Sequence, residues 1–257
     1  MDLFAKTAVK AAKEAGKIIM SQYGRAERLS DKSEKEILTK ADLEAEKKII
    51  STIKESFPDH SIYSEEKGKE ETSSDYCWII DPIDGTTNFA HGLPFFCTAI
   101  GLKQGEEIIL GVVLDPFHEE LFVAEKGKGA FMNGKRISVS RKTDLRDCFF
   151  ATGFAYERGP LMEKTLSLIK TFLVKSKSFR RLGSAALDMC FVSCGRFDFY
   201  WEYNLRPWDI AASSIIVKEA GGTITQPDGT ALPEFPSHVL ASNGLLHEGL
   251  IKIINDN

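Results

Sequence analysis

The chain has 257 residues, 43% of them hydrophobic and 27% charged, with a formal net charge of −4. That length can bury a sizeable core as one large domain or two moderate ones, and the slightly acidic balance argues against a dedicated nucleic-acid binder. No apolar run reaches membrane-spanning length, and Lys and Glu interrupt the first apolar residues, so no signal peptide and a cytoplasmic location are expected.

Residues 3 to 22 carry apolar side chains at Phe4, Ala8, Ala11, Ala12, Ala15, Ile18 and Ile19, a helical stripe that Gly24 ends. Residues 25 to 40 are charged and read as a mobile loop. Its Lys32, Lys35 and Lys40 either meet an anionic substrate or are simply solvated. A second helix is expected over about 41–56, stopped by Phe57-Pro58-Asp59. Ser61-Ile62-Tyr63-Ser64 reads as a strand ending in Glu65-Glu66, and 66–75 as polar and exposed. Tyr76-Cys77-Trp78-Ile79-Ile80 reads as a buried strand that ends at Asp81. Pro82 and Gly85 then predict a tight turn, with Thr86 or Thr87 capping a helix near Asn88. Apolar runs at 95–103, 107–114 and 119–124 predict a β meander, and Asn133-Gly134 a hairpin. Lys126-Gly-Lys-Gly129 lacks the spacing of a phosphate loop and reads as a turn.

From about residue 143 strands alternate with helices: strand 148–152, helix 161–173, strand 178–181, helix 184–194, strand 197–203, helix 209–220, strands near 223 and 239, and a last helix from about 245. The expected organisation is an α+β half, 1–143, packed on an α/β half, 144–257. Five cysteines make no disulfide pattern. Cys190 and Cys194 could share a metal, but with no nearby His they read better as small packing residues. His91 reads as a cap or surface residue close to the central motif.

The chemistry concentrates in Asp81-Pro82-Ile83-Asp84-Gly85-Thr86-Thr87. Two carboxylates on a stiff corner beside a helix N-terminus offer oxygen to hard cations and N–H groups to phosphate, although a plain Asp-Gly turn has the same local pattern. Glu65 ends a neighbouring strand, and Trp208-Asp209 opens a helix that Gly221-Gly222 closes. Carboxylates at about 4 Å repel by about 4 kcal/mol at an effective dielectric of 20, so such a cluster needs cations. All-oxygen donors suit Mg²⁺ or Mn²⁺ rather than Zn²⁺.

Asp81-Pro-Ile-Asp-Gly-Thr-Thr-Asn-Phe89 and Pro207-Trp-Asp-Ile-Ala-Ala212, continuing to Lys218-Glu-Ala-Gly-Gly222, resemble the two signatures of the inositol monophosphatase family. Ser64-Glu-Glu66, Gly127-Lys-Gly-Ala-Phe131 and Leu182-Gly-Ser-Ala-Ala186 match in family order, and Arg180-Arg181 with Leu205-Arg-Pro-Trp-Asp209 resembles its bacterial branch. The resemblance implies a layered αβαβα sandwich and a Mg²⁺-dependent phosphoric monoester hydrolase acting on small polyol phosphates, inositol 1-phosphate above all. Fructose-1,6-bisphosphatase and nucleotide 3′-phosphatase share the signatures. It further implies two or three ions held by Glu65, Asp81, Asp84, Asp209 and the Ile83 carbonyl. Thr86 with Asp42 would activate water, and Glu65 counts with them as catalytic. Asp84, Gly85, Thr86, Ser184, Ala185, Glu202 and Asp209 would contact substrate. Glu202, seven residues before Asp209, favours inositol. Lithium sensitivity and a homodimer are also implied. Some relatives act on the transcription machinery or RNA, so a regulatory binding role is the rival of another class. One departure is Glu36-Ile-Leu-Thr39 where the family often has Asp-Leu-Val-Thr.

Overall fold

Helix α1 (Leu3–Gln22) starts where the Asp2 carboxylate accepts the Ala5 N–H at 3.0 Å, and its alanine-rich face packs with α2 (Lys40–Ser56). The computed structural model describes residues 1–31, 37–155, 159–235 and 237–257; Lys32, Lys35 and Glu36 lie outside the described residues. Where a loop was expected, β1 (Arg28–Asp31) pairs antiparallel with β2 (Ile37–Thr39), which leads directly into α2.

The first sheet comprises β3 (Ser61–Ser64), β4 (Gly68–Glu70), β5 (Tyr76–Asp84), β6 (Cys97–Gln104), β7 (Glu107–Asp115), β8 (Glu120–Glu125), β9 (Gly129–Met132) and β10 (Lys135–Arg136). Its eight strands run in the order β10-β9-β8-β7-β6-β5-β3-β4. The meander and the Asn133-Gly134 hairpin are as read from the sequence, and both turn residues take positive φ. Short β4 was not foreseen, because its polar residues carry no apolar alternation. β3 and β5 run parallel, so both deliver their following residues to the same edge. The Glu65 N–H there donates to the Ile80 carbonyl at 3.1 Å, which sets Glu65 beside Asp81.

The second sheet has five strands in the order β12-β11-β13-β15-β14. They are β11 (Phe149–Thr152), β12 (Ser178–Arg180), β13 (Phe199–Tyr203), β14 (Thr223–Thr225) and β15 (His238–Ser242). The sheet is mixed: β11 is parallel to β12 and β13, whereas β15 is antiparallel to both its neighbours. Short α3 (Thr86–Ala90) follows β5. α4 (Pro160–Lys175) and α7 (His247–Asn255) cover the outer face of the second sheet with Leu168, Phe172, Leu250 and Ile254. α5 (Ala185–Ser193) and α6 (Pro207–Glu219) lie between the sheets. Both are apolar around most of their circumference, as burial on two sides requires. The order is helix, sheet, helix, sheet, helix, the αβαβα sandwich. Among the described residues no helix is long and apolar enough to cross a membrane.

The seat of α6 positions the site. Gly101 and Gly111 are cross-strand partners on β6 and β7, and together they leave a flat patch on the sheet. A Cβ at Gly111 would run into the Ala212 carbonyl, and one at Gly101 would stand 3.1 Å from the Ala211 Cβ. At the far end of α6 the Glu219 carboxylate accepts the Gly127 and Gly129 N–H groups, both at 2.7 Å. That is the use made of the Lys126-Gly-Lys-Gly129 turn. With the helix held along its length, Asp209 in its first turn has one place to go.

Gly111→Ala is therefore expected to lift α6 off the sheet and cost about 1–3 kcal/mol, the range for overpacking a core. Thermal denaturation should register a fall in Tm, together with lost phosphatase activity. An unchanged Tm would show that the helix–sheet contact tolerates a methyl group.

Candidate active site

β5 does not stop at Ile80. It continues to Asp84 with an irregular register against β6 between Asp81 and Asp84, so the expected turn is instead a bulged strand end. Pro82 has no N–H to give the ladder, which makes this the natural place for the irregularity. Its carbonyl accepts the Thr98 hydroxyl at 2.8 Å. The corner comes one step later. Gly85, at φ 91°, caps α3, and the helix already includes Thr86 and Thr87, which were expected to cap it. A left-handed position favours glycine over threonine there. His91 closes this short helix with Nδ1 3.0 Å from the Thr87 carbonyl.

Carboxylate oxygens of Asp81, Asp84 and Asp209 all lie within 4.8 Å of one another. Asp81 is 2% exposed and its Oδ1 has no hydrogen-bond partner among the described residues. Burial, then the charges of Glu65, Asp84 and Asp209, push its carboxyl well above the ordinary range. Burial and then Asp84 do the same to Asp209, while burial raises Asp84. An orphaned buried carboxylate oxygen among like charges is costly. A hard cation would supply what the protein does not, so the donor set fits an oxygen-loving divalent metal.

Asp84 and Asp209 are held from behind. Asp84 Oδ2 accepts the Ser184 hydroxyl at 2.6 Å and the Ala186 N–H at 2.7 Å, so the start of α5 grips it. Ser184 thus turns its hydroxyl onto Asp84, while neighbouring Ala185 lines the cavity. Asp209 Oδ2 accepts the Arg206 N–H at 2.7 Å. Asp42, fully buried, accepts the Thr39 N–H at 2.9 Å through Oδ2 and keeps Oδ1 for the Thr86 hydroxyl at 3.1 Å. That hydroxyl also lies 2.8 Å from the Ile83 carbonyl, and its single proton can serve one acceptor at a time.

Glu65, Ile83, Gly85, Thr86, Ala185 and Glu202 line the same cavity as the three aspartates. Glu202 is half-buried; burial pushes its carboxyl up to about 7, and the Tyr200 hydroxyl donates to its Oε2. A Cβ on Gly153 would overlap that carboxylate, so glycine makes the room. Cys190 is buried in the core between α5 and the first sheet, and Cys194 packs against that core. Among the described residues only the aspartates form a metal-capable group.

A sequence model of the inositol monophosphatase family matches residues 1–257. The chain belongs to the inositol monophosphatase family. It is a phosphatase, a phosphoric monoester hydrolase. It is 40% identical over 249 residues to the fructose-1,6-bisphosphatase/inositol-1-monophosphatase of Thermotoga maritima, covering 96% of this chain and 94% of that protein. It is 41% identical over 232 residues to the Nus factor SuhB of Pasteurella multocida, covering 89% of this chain and 87% of the relative. The solved structure of extragenic suppressor protein suhB from Bartonella henselae superposes with a TM-score of 0.94 at 34% identity, covering all of both chains.

Sequence reasoning gave no site role to Gly153, Asp188 or Arg206, which also line the cavity. Asp188 had a legible signal, an acid inside an apolar helix. Gly153 had none, because its importance lies in a side chain about fifty positions away.

Ser184→Ala removes the α5 cap and a charge-assisted bond to Asp84, and is expected to lower stability by about 1–2 kcal/mol. Ser184→Thr should restore most of it in chemical denaturation. Equal losses in both variants would mean that volume, not the hydroxyl, matters.

Proposed function

We propose that this chain hydrolyses the phosphate ester of a small polyol, with inositol 1-phosphate the leading candidate. The observation that carries the reading is the convergence of Asp81, Asp84 and Asp209 within 4.8 Å, in a cavity that Glu202 also lines. Glu65, Asp81, Asp84, Asp209 and the Ile83 carbonyl would hold two or three Mg²⁺ ions, with Mn²⁺ a substitute. When bound, such ions neutralise phosphate oxygens, acidify the attacking water and offset charge on the leaving alkoxide.

The chain's own groups do the positioning. The N–H groups of Gly85 and Thr86, left free at the start of α3, point phosphate oxygens towards the aspartates. Thr86 donates its proton to Asp42, which leaves a lone pair on its oxygen to accept from the attacking water and orient it. Asp84 and Asp209 keep fixed positions because α5 and α6 hold them. Ala185 and Glu202 form the polyol side, where Glu202 accepts from ring hydroxyls, and Ser184 acts through Asp84. Hydrolysis of a phosphate ester needs little beyond this positioning and charge neutralisation.

Fructose-1,6-bisphosphatase activity has the support of the dual name of the Thermotoga relative, and nucleotide 3′-phosphatase shares the metal chemistry. A regulatory role on the transcription machinery has the support of the Nus factor name of the Pasteurella relative. The two-half organisation at residue 143, a homodimer and a cytoplasmic location remain parts of the proposal, the dimer being checked by light scattering.

Phosphate release from inositol 1-phosphate, fructose 1,6-bisphosphate and 3′-phosphoadenosine 5′-phosphate ranks the substrates, and inositol 1-phosphate is expected to lead in kcat/KM. EDTA should abolish turnover and Mg²⁺ restore it, while Asp84→Asn should lower kcat by orders of magnitude. Full activity in metal-free buffer would overturn the mechanism. Li⁺ should inhibit.

For the water-positioning pair, Asp42→Asn and Thr86→Ala should each lower kcat more than they raise KM, and the double variant should be little worse than either. Additive losses would assign the two residues separate tasks.

A further inference from the structure

Asp188 occupies the first turn of α5, inside the otherwise apolar run Ala185-Ala186-Leu187-Asp188-Met189. It is 2% exposed, and its Oδ1 has no hydrogen-bond partner among the described residues. The helix dipole favours an acid in a first turn, but it favours an exposed one as well and gives no reason for burial without a partner. Orphaned buried oxygens in native structures call for an explanation, and a ligand is one. Asp188 lines the cavity shared by Glu202, Arg181 and the three aspartates.

Glu202 reaches the cavity from a different element, β13. Tyr200 occupies its Oε2 and Gly153 leaves room for the carboxylate, so Oε1 remains for whatever enters. Burial, and then the charge of Glu202, drive the Asp188 carboxyl well above the ordinary range. A protonated carboxyl donates as well as accepts, so it can meet a hydroxyl in either sense. Arg181 and Arg206 also line this cavity, and a hydroxyl, unlike a dianion, can pair with Asp188 and Glu202 whichever of them carries a proton.

We propose that Asp188 is a substrate-recognition residue that, with Glu202, takes neighbouring hydroxyls of a polyol whose phosphate lies at the Asp81–Asp84–Asp209 cluster. This rests on the phosphatase reading above and narrows its substrate class to polyols carrying adjacent free hydroxyls. Asp188 is specific to the polyol side, so its loss changes selectivity, whereas loss of Asp84 abolishes all turnover.

The test compares the polyol phosphate that the wild type hydrolyses fastest with 4-nitrophenyl phosphate, which offers no hydroxyl. In Asp188→Asn and Asp188→Leu the ratio of kcat/KM for the polyol ester to that for the aryl ester should fall about ten-fold, the effect of one lost hydrogen bond, with the change mainly in KM. Free myo-inositol, used as a competitor of aryl phosphate hydrolysis, should lose potency to a similar degree. Thermal denaturation should place both variants at or above the wild-type Tm, since an unpartnered buried acid has been removed. An unchanged ratio, or a lowered Tm with equal losses on both esters, would overturn the proposal and make Asp188 structural. If no polyol ester is hydrolysed by the wild type, the substrate reading fails by itself, and inositol competition still decides the role of Asp188.

Discussion

Like charges held together away from water set the terms for the rest of this molecule. Three carboxylates from two elements stand within 4.8 Å of one another, and each pair repels by about 4 kcal/mol at 4 Å with an effective dielectric of 20. A flexible scaffold would relieve that repulsion by moving apart. This one does not, because Asp84 and Asp209 are anchored on their far sides and Asp81 sits within a buried strand. The start of α5 grips Asp84, the Arg206 N–H holds Asp209, and the parallel pairing of β3 with β5 fixes Glu65 against Asp81. The flat Gly101–Gly111 patch and the Glu219 clamp belong to the same system, since they determine where α6 can lie.

Much of this was legible in the sequence. The apolar stripe of α1, the meander β6–β8, the hairpin at Asn133-Gly134 and the alternation from β11 to α7 follow from periodicities and turn residues that act locally. The acids of Asp81, Asp84 and Asp209 stood out because charged residues ended or opened strongly apolar segments. The signatures then joined segments that local reasoning could only treat one at a time.

What escaped the sequence depended on partners distant along the chain. β5 was read as ending at Ile80, since Asp and Pro seldom continue a buried strand. It continues because Thr98 takes the Pro82 carbonyl and the bulge absorbs the missing N–H. The 25–40 segment looked like a charged loop, yet β1 and β2 gain from each other the pairing that neither pattern predicts. Ser184 illustrates the same limit within the site. Its place beside Ala185 was legible, but the direction of its hydroxyl was decided by Asp84, one hundred residues earlier.

That separation has a consequence for how the protein is made. Synthesis proceeds from the N-terminus, and domains tend to fold as their residues emerge. β5 and the meander can pair early, but the hydroxyl and N–H that cap Asp84 belong to α5, and Asp209 arrives later still with α6. Until then the face of the first sheet that α5 and α6 will cover is open, its apolar residues and paired glycines bare to solvent. The nascent chain thus carries an open apolar surface and its unassembled acids on the same stretch, through the same interval, and both are resolved when a single pair of helices docks.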